Sequence, residues 1–312
     1  MNKKPPLPNS SLIERAAEVY DFQAALRAAG MARNPDPQVV DAAIAPASVA
    51  PAAIAPKVAP VIPRAVSTGP VGSIDAEMLR DAGMIVPGAP PSGLSEEFRL
   101  VKRQLLVKAI GGRKTQPVEK GRLILICSAQ PNEGKTFCSV NLALSMTSET
   151  DVEVLLIDAD VAKPEVLSTL GLPGGLGLMD ALADPSIRAE DLVIKTNFPG
   201  LSVLPAGRQT NNDTELLASD RTIDVINGLV AHNPRRIVLF DSAPALAASP
   251  ASVLAHHVGQ ILMVVRADQT TENELRDALT LLDACPNIQL LINGVTFSGT
   301  NRKFGSYYGF GE

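Results

Sequence analysis

The feature that most restricts the fold is an eight-residue segment between an apolar run and a helical pattern. It consists of Ala129, Gln130, Pro131, Asn132, Glu133, Gly134, Lys135 and Thr136. A glycine-containing loop that ends in Lys-Thr and joins a strand to a helix is typical of phosphate-binding loops, although Ala129 stands where the motif usually has glycine. The helix N-terminus adds the positive end of its dipole. The segment predicts a nucleotide site in which Lys135 contacts the β- and γ-phosphates and Thr136 ligates Mg²⁺.

The chain beyond this loop alternates short apolar runs with helical stretches. The apolar runs cover 123–127, 154–157, 201–204, 237–240, 261–265 and 290–295. Nearly continuous apolar strands that alternate with helices indicate a mostly parallel sheet covered on both faces. We therefore expect an α/β domain with a doubly wound sheet and the P-loop NTPase fold.

The composition of the chain changes near residue 94. Residues 35–70 contain eight prolines among alanines and valines, and proline at this density removes backbone donors and prevents a packed core. Short helical patterns interrupt the N-terminal region, one of them from Ile74 to Gly83. We predict three parts. Residues 1–93 form a disordered Pro/Ala-rich tether with short helices, 94–298 the P-loop domain, and 299–312 a flexible tail.

The overall composition excludes several classes of protein. Hydrophobic residues make up 46% of the 312 residues, which is enough for a core, and a net charge of -5 argues against nucleic acid as a partner. The three cysteines have no framework spacing, so we expect reduced thiols. No apolar run is long enough for a membrane span or a leader, so we expect a cytoplasmic protein.

Carboxylates follow two of the apolar runs. Asp158 and Asp160 come after 154–157, and Asp241 comes after 237–240. Because the carboxyl ends of parallel strands meet at the nucleotide crevice, Asp241 matches a Walker B carboxylate near Mg²⁺. The Asp-x-Asp spacing places two carboxylates on one side of a strand, so one can hold the metal while the other accepts a proton.

Three segments then carry a family resemblance. AQPNEGKT, LLIDADVAKP and IVLFDSAP occur in this order and resemble the Walker A, A′ and B motifs of the bacterial tyrosine kinases. Within that family, SLIERAAE, AGMIVPG and EEFRLVKRQLL most resemble the cytoplasmic autokinases encoded with exosortase and exopolysaccharide (PEP-CTERM) loci. The resemblance implies the deviant-Walker, MinD-like variant of the P-loop fold and ATP-dependent phosphorylation of the chain's own tyrosines.

The resemblance also assigns roles to the residues of the site. It implies that Lys135 and Thr136 contact ATP and Mg²⁺, that Asp158 and Asp241 serve the metal shell, and that Asp160 activates the tyrosine hydroxyl. Its A′ motif commonly has arginine two residues after the second Asp, where this chain has Ala162.

The tail and one helix supply further predictions. Tyr307 and Tyr308 fit the tyrosine cluster of the family and are the expected phosphorylation sites. The family's subunit-contact motif, Glu-x-x-Arg-x-x-Arg, joins kinase domains into rings. A ring-shaped homo-oligomer is therefore implied, with contacts from Glu96, Arg99, Lys102 and Arg103, the last two sharing the final position.

Two alternatives to a kinase stay open on sequence grounds. One is a MinD/ParA-like ATPase switch that transfers phosphate only to water, and the other is a nucleotide-binding scaffold with little turnover. Gln130 favours the kinases, because the positioning ATPases carry a signature lysine at that loop position. Asn293 is either an adenine contact, as in related P-loop folds, or a turn residue.

The resemblance implies a cellular role as well. It points to control of exopolysaccharide polymerisation and export. Many members of the family depend on a membrane protein for activation. A separate transmembrane chain-length regulator is therefore the implied partner, recruiting the chain to the inner face of the membrane.

Overall fold

A computed structural model describes residues 69–112, 114–231 and 233–295, which form an eight-stranded sheet with helices on both faces. The strands are β1 (Val71–Gly72), β2 (Leu123–Ser128), β3 (Glu153–Ala159), β4 (Ile194–Thr196), β5 (Leu201–Leu204), β6 (Arg236–Ser242), β7 (Gln260–Arg266) and β8 (Ile288–Asn293). The helices are α1 (Ala76–Asp81), α2 (Gly93–Ile110), α3 (Lys135–Met146), α4 (Val166–Leu170), α5 (Leu178–Ala183), α6 (Asp213–Leu217), α7 (Asp220–Ala231), α8 (Pro250–Ala255) and α9 (Glu272–Leu281).

The strand order is β1-β4-β5-β3-β6-β2-β7-β8, and every neighbouring pair is parallel except the antiparallel pair β4 and β5. The predicted doubly wound, mostly parallel sheet is thus confirmed. After β2 the chain crosses to β3 on one side, and later it adds β7 and β8 on the other. The loop after β2 therefore lies at a topological switch point, where α/β sheets bind their ligands.

The core lies on both faces of the sheet, because successive side chains of a strand point to opposite sides. In β2, Leu123, Leu125 and Cys127 pack in the cluster that includes helices α5 to α9. Ile124 and Ile126 pack in the other cluster, with α1 to α4. Burial on both faces explains why this strand reads as one continuous apolar run.

The structure extends the packed domain to a segment that we call the N-terminal strap, residues 69–86. Ile74, Leu79 and Ile85 of the strap are buried in the core cluster of α1 to α4. The sequence placed the start of the domain at residue 94, which is too late by this finding. The sequence does predict a short helix over 74–83, which the structure has at Ala76–Asp81. One short helix beside a proline-rich stretch, however, does not indicate that it packs on the domain that follows.

Two asparagine side chains hold the strap in place. The amide of Asn197 accepts a hydrogen bond from the backbone N–H of Ile74 at 2.8 Å and donates one to its carbonyl at 3.0 Å. The side-chain oxygen of Asn141, on α3, accepts from the N–H of Ile85 at 2.8 Å. The strap is therefore tied directly to the helix that follows the phosphate loop.

The strands β1 and β4 were not predicted. They have two and three residues, too few for a hydrophobic period, and they exist because they pair with each other and β4 pairs with β5. No helix in the described ranges combines the length and the apolar character that crossing a bilayer requires. The other helical pattern predicted near the N-terminus, the proline-rich region before residue 69 and the tail after 295 lie outside the described residues.

Candidate active site

The phosphate loop has the backbone shape that its sequence predicts. Gly134 has φ 92° and Asn132 has φ 65°, so two residues of the turn adopt the left-handed region. Helix α3 begins at the next residue, Lys135, as the motif requires. A side chain at Gly134 would also collide with Asn293, because an added Cβ would lie 2.2 Å from its Nδ2. Both the backbone angle and this contact demand glycine here.

Lys135 forms a buried ion pair with Asp160. Its Nζ lies 2.9 Å from Asp160 Oδ2, and both side chains are almost fully buried. Burial lowers the pKa of Lys135, but the hydrogen bond to Asp160 and the nearby charge of Asp241 outweigh it, so the pKa is raised above its ordinary value. The ammonium group is thus held in its charged form at the end of the phosphate loop.

Two hydroxyl groups of α3 hold Asp241. Thr136 Oγ1 donates to Asp241 Oδ2 at 2.7 Å, and Ser139 Oγ donates to Oδ1 at 2.8 Å. Ser139 was missed by the sequence reasoning. Its spacing could have revealed it, since a residue three positions after Thr136 lies on the same face of a helix. The helix that carries the phosphate loop and the strand that carries Asp241 are thereby joined through a carboxylate.

Asp158 stands beside Asp241 but has different partners. The two are register partners in the parallel strands β3 and β6. Asp158 accepts hydrogen bonds from the backbone N–H of Val166 at 3.0 Å and of Asp160 at 3.2 Å. The carboxylate therefore braces the turn that leads to α4, and it lies next to the ion pair of Asp160.

Burial and the charges of nearby carboxylates make both Asp158 and Asp241 weak acids. Desolvation, with the charge of Asp241, raises the pKa of Asp158 to about 7. Desolvation also raises the pKa of Asp241 to about 6, against the lowering effects of Lys135, Thr136 and Ser139. Two buried carboxylates whose charged forms are disfavoured are a place where a cation would be stabilising.

The residues present fit a Mg²⁺ ion. The described residues contain no group of three or more His, Cys, Asp and Glu side chains arranged to hold a metal by themselves. Mg²⁺ usually binds proteins through one or two carboxylates together with substrate phosphates and water. Asp241, the hydroxyl of Thr136 and the neighbouring Asp158 supply such a partial donor set at the end of the phosphate loop.

The phosphate loop is supported from the other side of the sheet by partners that the sequence did not indicate. The Gln130 amide donates to Glu274 Oε1 of α9 at 3.1 Å. The Thr270 hydroxyl donates to Glu133, and the Asn293 amide donates to the Glu133 carbonyl at 2.9 Å. Asn293, which the sequence placed at adenine or in a turn, thus contacts the loop itself.

The predicted contact face on α2 divides into two kinds of residue. Arg99 forms an ion pair with Glu96 at 3.1 Å, and both Arg99 and Arg103 are exposed. Lys102 is only 5% exposed. Its Nζ lies 2.7 Å from Glu149 and donates to the Ser145 carbonyl at the end of α3 at 2.9 Å. The prediction that Lys102 is a subunit contact is therefore wrong for this structure, because the side chain binds within its own domain.

Other predicted residues can be placed more briefly. The cysteines Cys127, Cys138 and Cys285 are free and buried. Burial raises the pKa of Cys127 and of Cys138 to about 12, so neither thiol is reactive. Tyr307 and Tyr308 lie outside the described residues, and their phosphorylation stays a prediction.

Comparisons with known proteins find relatives that are named tyrosine-protein kinases. No family model matches the chain. Tyrosine-protein kinase wzc of Salmonella typhimurium is 31% identical over 192 residues, which is 62% of this chain and 26% of that protein. Tyrosine-protein kinase YwqD of Bacillus subtilis is 28% identical over 221 residues, covering 71% of this chain and 87% of that protein.

A solved structure agrees with these relatives. The kinase domain of the Escherichia coli tyrosine kinase ETK has a TM-score of 0.58 and 26% identity, covering 75% of this chain and 93% of that domain. This chain spans about a quarter of the length of several curated relatives that it matches. The similarity therefore concerns one domain of those longer proteins.

Proposed function

The chain belongs to the bacterial tyrosine kinase family, and we propose on that premise that its P-loop domain transfers the γ-phosphoryl group of ATP to tyrosines of its own tail. The observation that carries the proposal is the buried Lys135–Asp160 ion pair at the end of the phosphate loop, next to Asp158 and Asp241. A loop lysine, a carboxylate that can accept a proton once the lysine leaves it, and a partial cation site are the parts that phosphoryl transfer to a hydroxyl group needs.

Each residue has a distinct part in this proposal. Lys135 would leave Asp160 and bind the β- and γ-phosphates, which compete for its charge more strongly than one carboxylate does. Thr136, Asp158 and Asp241 would hold Mg²⁺, which supplies neutralisation of the phosphate charge when bound. Backbone N–H groups of the loop residues 129–136 would cradle the phosphates.

Release of Lys135 would expose Asp160 as the base. The tyrosine oxygen then forms a bond to the γ-phosphorus, the bond from that phosphorus to the bridging oxygen of the β-phosphate breaks, and ADP leaves. The hydroxyl proton passes to the carboxylate of Asp160. Binding of ATP and unmasking of the base are thereby coupled through a single lysine.

The acceptors that we propose are Tyr307 and Tyr308. The proposed role, from the family resemblance, is control of exopolysaccharide polymerisation and export by a cytoplasmic kinase. A separate transmembrane chain-length regulator would be its activator at the inner face of the membrane. Contacts through Glu96, Arg99 and Arg103 would join copies of the domain into a ring.

Tyrosine phosphorylation of the purified full chain tests the proposal. Wild type incubated with ATP and Mg²⁺ should gain phosphate on Tyr307 or Tyr308, as seen by phosphotyrosine antibody and mass spectrometry. Lys135→Met should lose the signal by 100-fold or more, because the phosphates lose their point charge. Release of free phosphate with no phosphotyrosine, with or without a membrane activator, would instead identify an ATPase switch.

A further inference from the structure

The last residue of the outermost strand is fastened to the phosphate loop. Asn293 ends β8, and its Nδ2 donates to the carbonyl oxygen of Glu133 at 2.9 Å. Asn293 also lies over Gly134, where the missing side chain leaves room for it. The amide nitrogen of Asn293 is therefore used on the loop backbone.

The side chain of Glu133 fastens the same part of the loop from inside. It is only 4% exposed although it carries a carboxylate. Its Oε2 accepts from the backbone N–H of Gln130 at 2.9 Å, which closes the loop on itself. Its Oε1 accepts from the hydroxyl of Thr270, in the connection between β7 and α9. A buried carboxylate with this set of donors has a structural role to fulfil.

We propose that Glu133 and Asn293 are positioning residues that hold the phosphate loop in its binding shape before the nucleotide arrives. Together with Thr270 they form a clamp around the turn at Asn132 and Gly134. Loss of the clamp would weaken binding of the triphosphate and would not affect contacts with the adenine base. The proposal deepens the proposed function and rests on it, because it takes the loop to be the ATP phosphate site.

The physical reason is the cost of ordering a loop. A loop that must become ordered on binding loses conformational entropy at that moment, for every backbone residue that is fixed. A preformed loop avoids this loss, and the affinity rises accordingly. Hydrogen bonds from β8 and from the β7–α9 connection supply this order from outside the loop.

Asn293→Asp in the full chain is the first test. The change keeps the shape but replaces the N–H donor by an oxygen that faces the carbonyl of Glu133. We expect the affinities for Mg·ATP and for inorganic triphosphate to fall together, by about 10-fold, which corresponds to about 1.4 kcal/mol. A loss for ATP with unchanged binding of triphosphate would overturn the proposal and identify Asn293 as an adenine contact.

Asn287→Asp is the matched control. Asn287 makes the same kind of bond just before β8, where its Nδ2 donates to the Gly259 carbonyl at 3.2 Å. This variant should bind both ligands like wild type. An equal loss in both variants would show a general weakening of the strand and would contradict a specific clamp.

Substitution of Glu133 gives an independent arm. Glu133→Ala should weaken both ligands, whereas Glu133→Gln should restore most of the affinity, since its oxygen can accept from Gln130 and its amide can donate to Thr270. Wild-type affinity in Glu133→Ala would overturn the proposal. Thr270→Val, which with little change in shape removes the hydroxyl that donates to Glu133 and accepts from the Arg266 N–H, replaces any variant whose circular dichroism shows that it does not fold. A wild-type chain that binds neither ATP nor triphosphate would refute the proposed function itself.

Discussion

The phosphate loop and the N-terminal strap are two connecting segments held by asparagine side chains, yet the sequence alone identified only the loop as part of the folded domain. The loop has a motif because its backbone must fit a phosphate, and that demand selects particular residues at particular spacings. The strap has only to pack against the core, and many different apolar residues can do so. A chemical demand therefore leaves a local pattern in the sequence, and a packing demand often does not.

The loop and the strap are also tied to neighbouring elements of the domain. The loop is tied to β8 and to the β7–α9 connection, and the strap is tied through Asn141 to α3, which starts at Lys135. Met78 of the strap packs close to Gly171, just after α4, since an added Cβ there would lie 3.1 Å from its Sδ. The same α4 donates the Val166 N–H to Asp158. The strap thus supports the turns of the candidate site without belonging to it.

The largest effect is expected from a substitution in the candidate nucleotide site. Asp160→Asn should lower tyrosine transfer by roughly 100-fold or more, because the proton acceptor is lost, while Mg·ATP still binds. Rapid-quench kinetics of phosphotyrosine formation and calorimetric ATP binding give the two quantities. Collapsed ATP affinity with unchanged transfer per bound ATP would remove Asp160 from the role of base.

Leu79→Ala tests the packing of the N-terminal strap. Leu79 is fully buried, so we expect a loss of about 2–5 kcal/mol in the free energy of unfolding from lost burial and the cavity left behind. Urea denaturation followed by circular dichroism measures it. Val71→Ala, at a strap residue that is 79% exposed, is the control and should cost little. Equal stability of the two variants would mean that the strap is not part of the core.

The pH dependence of stability sharpens the contrast, since the site contains neighbouring buried carboxylates and the described residues of the strap contain none. In the metal-free protein the pKa values of Asp158 and Asp241 are raised to about 7 and about 6. The folded state then binds more protons than the unfolded state above pH ~4. This contribution to stability is therefore lost as the pH rises through the folded-state values.

Between pH 5 and pH 8 the metal-free protein should thus lose roughly 1–3 kcal/mol of stability from these groups. Thermal melts across this range measure the loss. Asp158→Asn should flatten the profile, and Mg²⁺ with nucleotide should oppose it by favouring the ionised carboxylates. A metal-free profile that rises with pH and is unchanged in Asp158→Asn would contradict the assignment.

The smallest effect is expected on α2, where neighbouring cations face different surroundings. Arg103→Ala should reduce the mass of the proposed oligomer with a stability change within about 0.5 kcal/mol, as is usual for an exposed residue. Lys102→Ala should instead lower stability, since it leaves the end of α3 and Glu149 without their partner. Light scattering and thermal melts on the same samples separate the two. Reversed results would return Lys102 to the subunit contact.

Prediction from sequence succeeded where one residue type is demanded by local chemistry. The turn at Gly134, the start of α3 at Lys135 and the carboxylates at the ends of β3 and β6 were all predicted at the positions observed. It failed for Lys102, because a basic residue in a helix has the same pattern whether it faces solvent or the end of another helix. The packing of the strap on the domain, and the strand β4, were missed because each is defined by its partners.

The sequence by itself determined the six longer strands and their alternation with helices, the phosphate loop and the identity of the acidic groups, since periodicity and backbone demands are properties of neighbouring residues. Only the tertiary structure decided what these groups touch. It paired Lys135 with Asp160, placed Ser139 against Asp241 and brought Asn293 to Glu133, which is 160 positions away along the chain. Such contacts depend on strand order and register, which no local pattern encodes. The motif shows that a phosphate loop exists, whereas these contacts show what holds its backbone in shape.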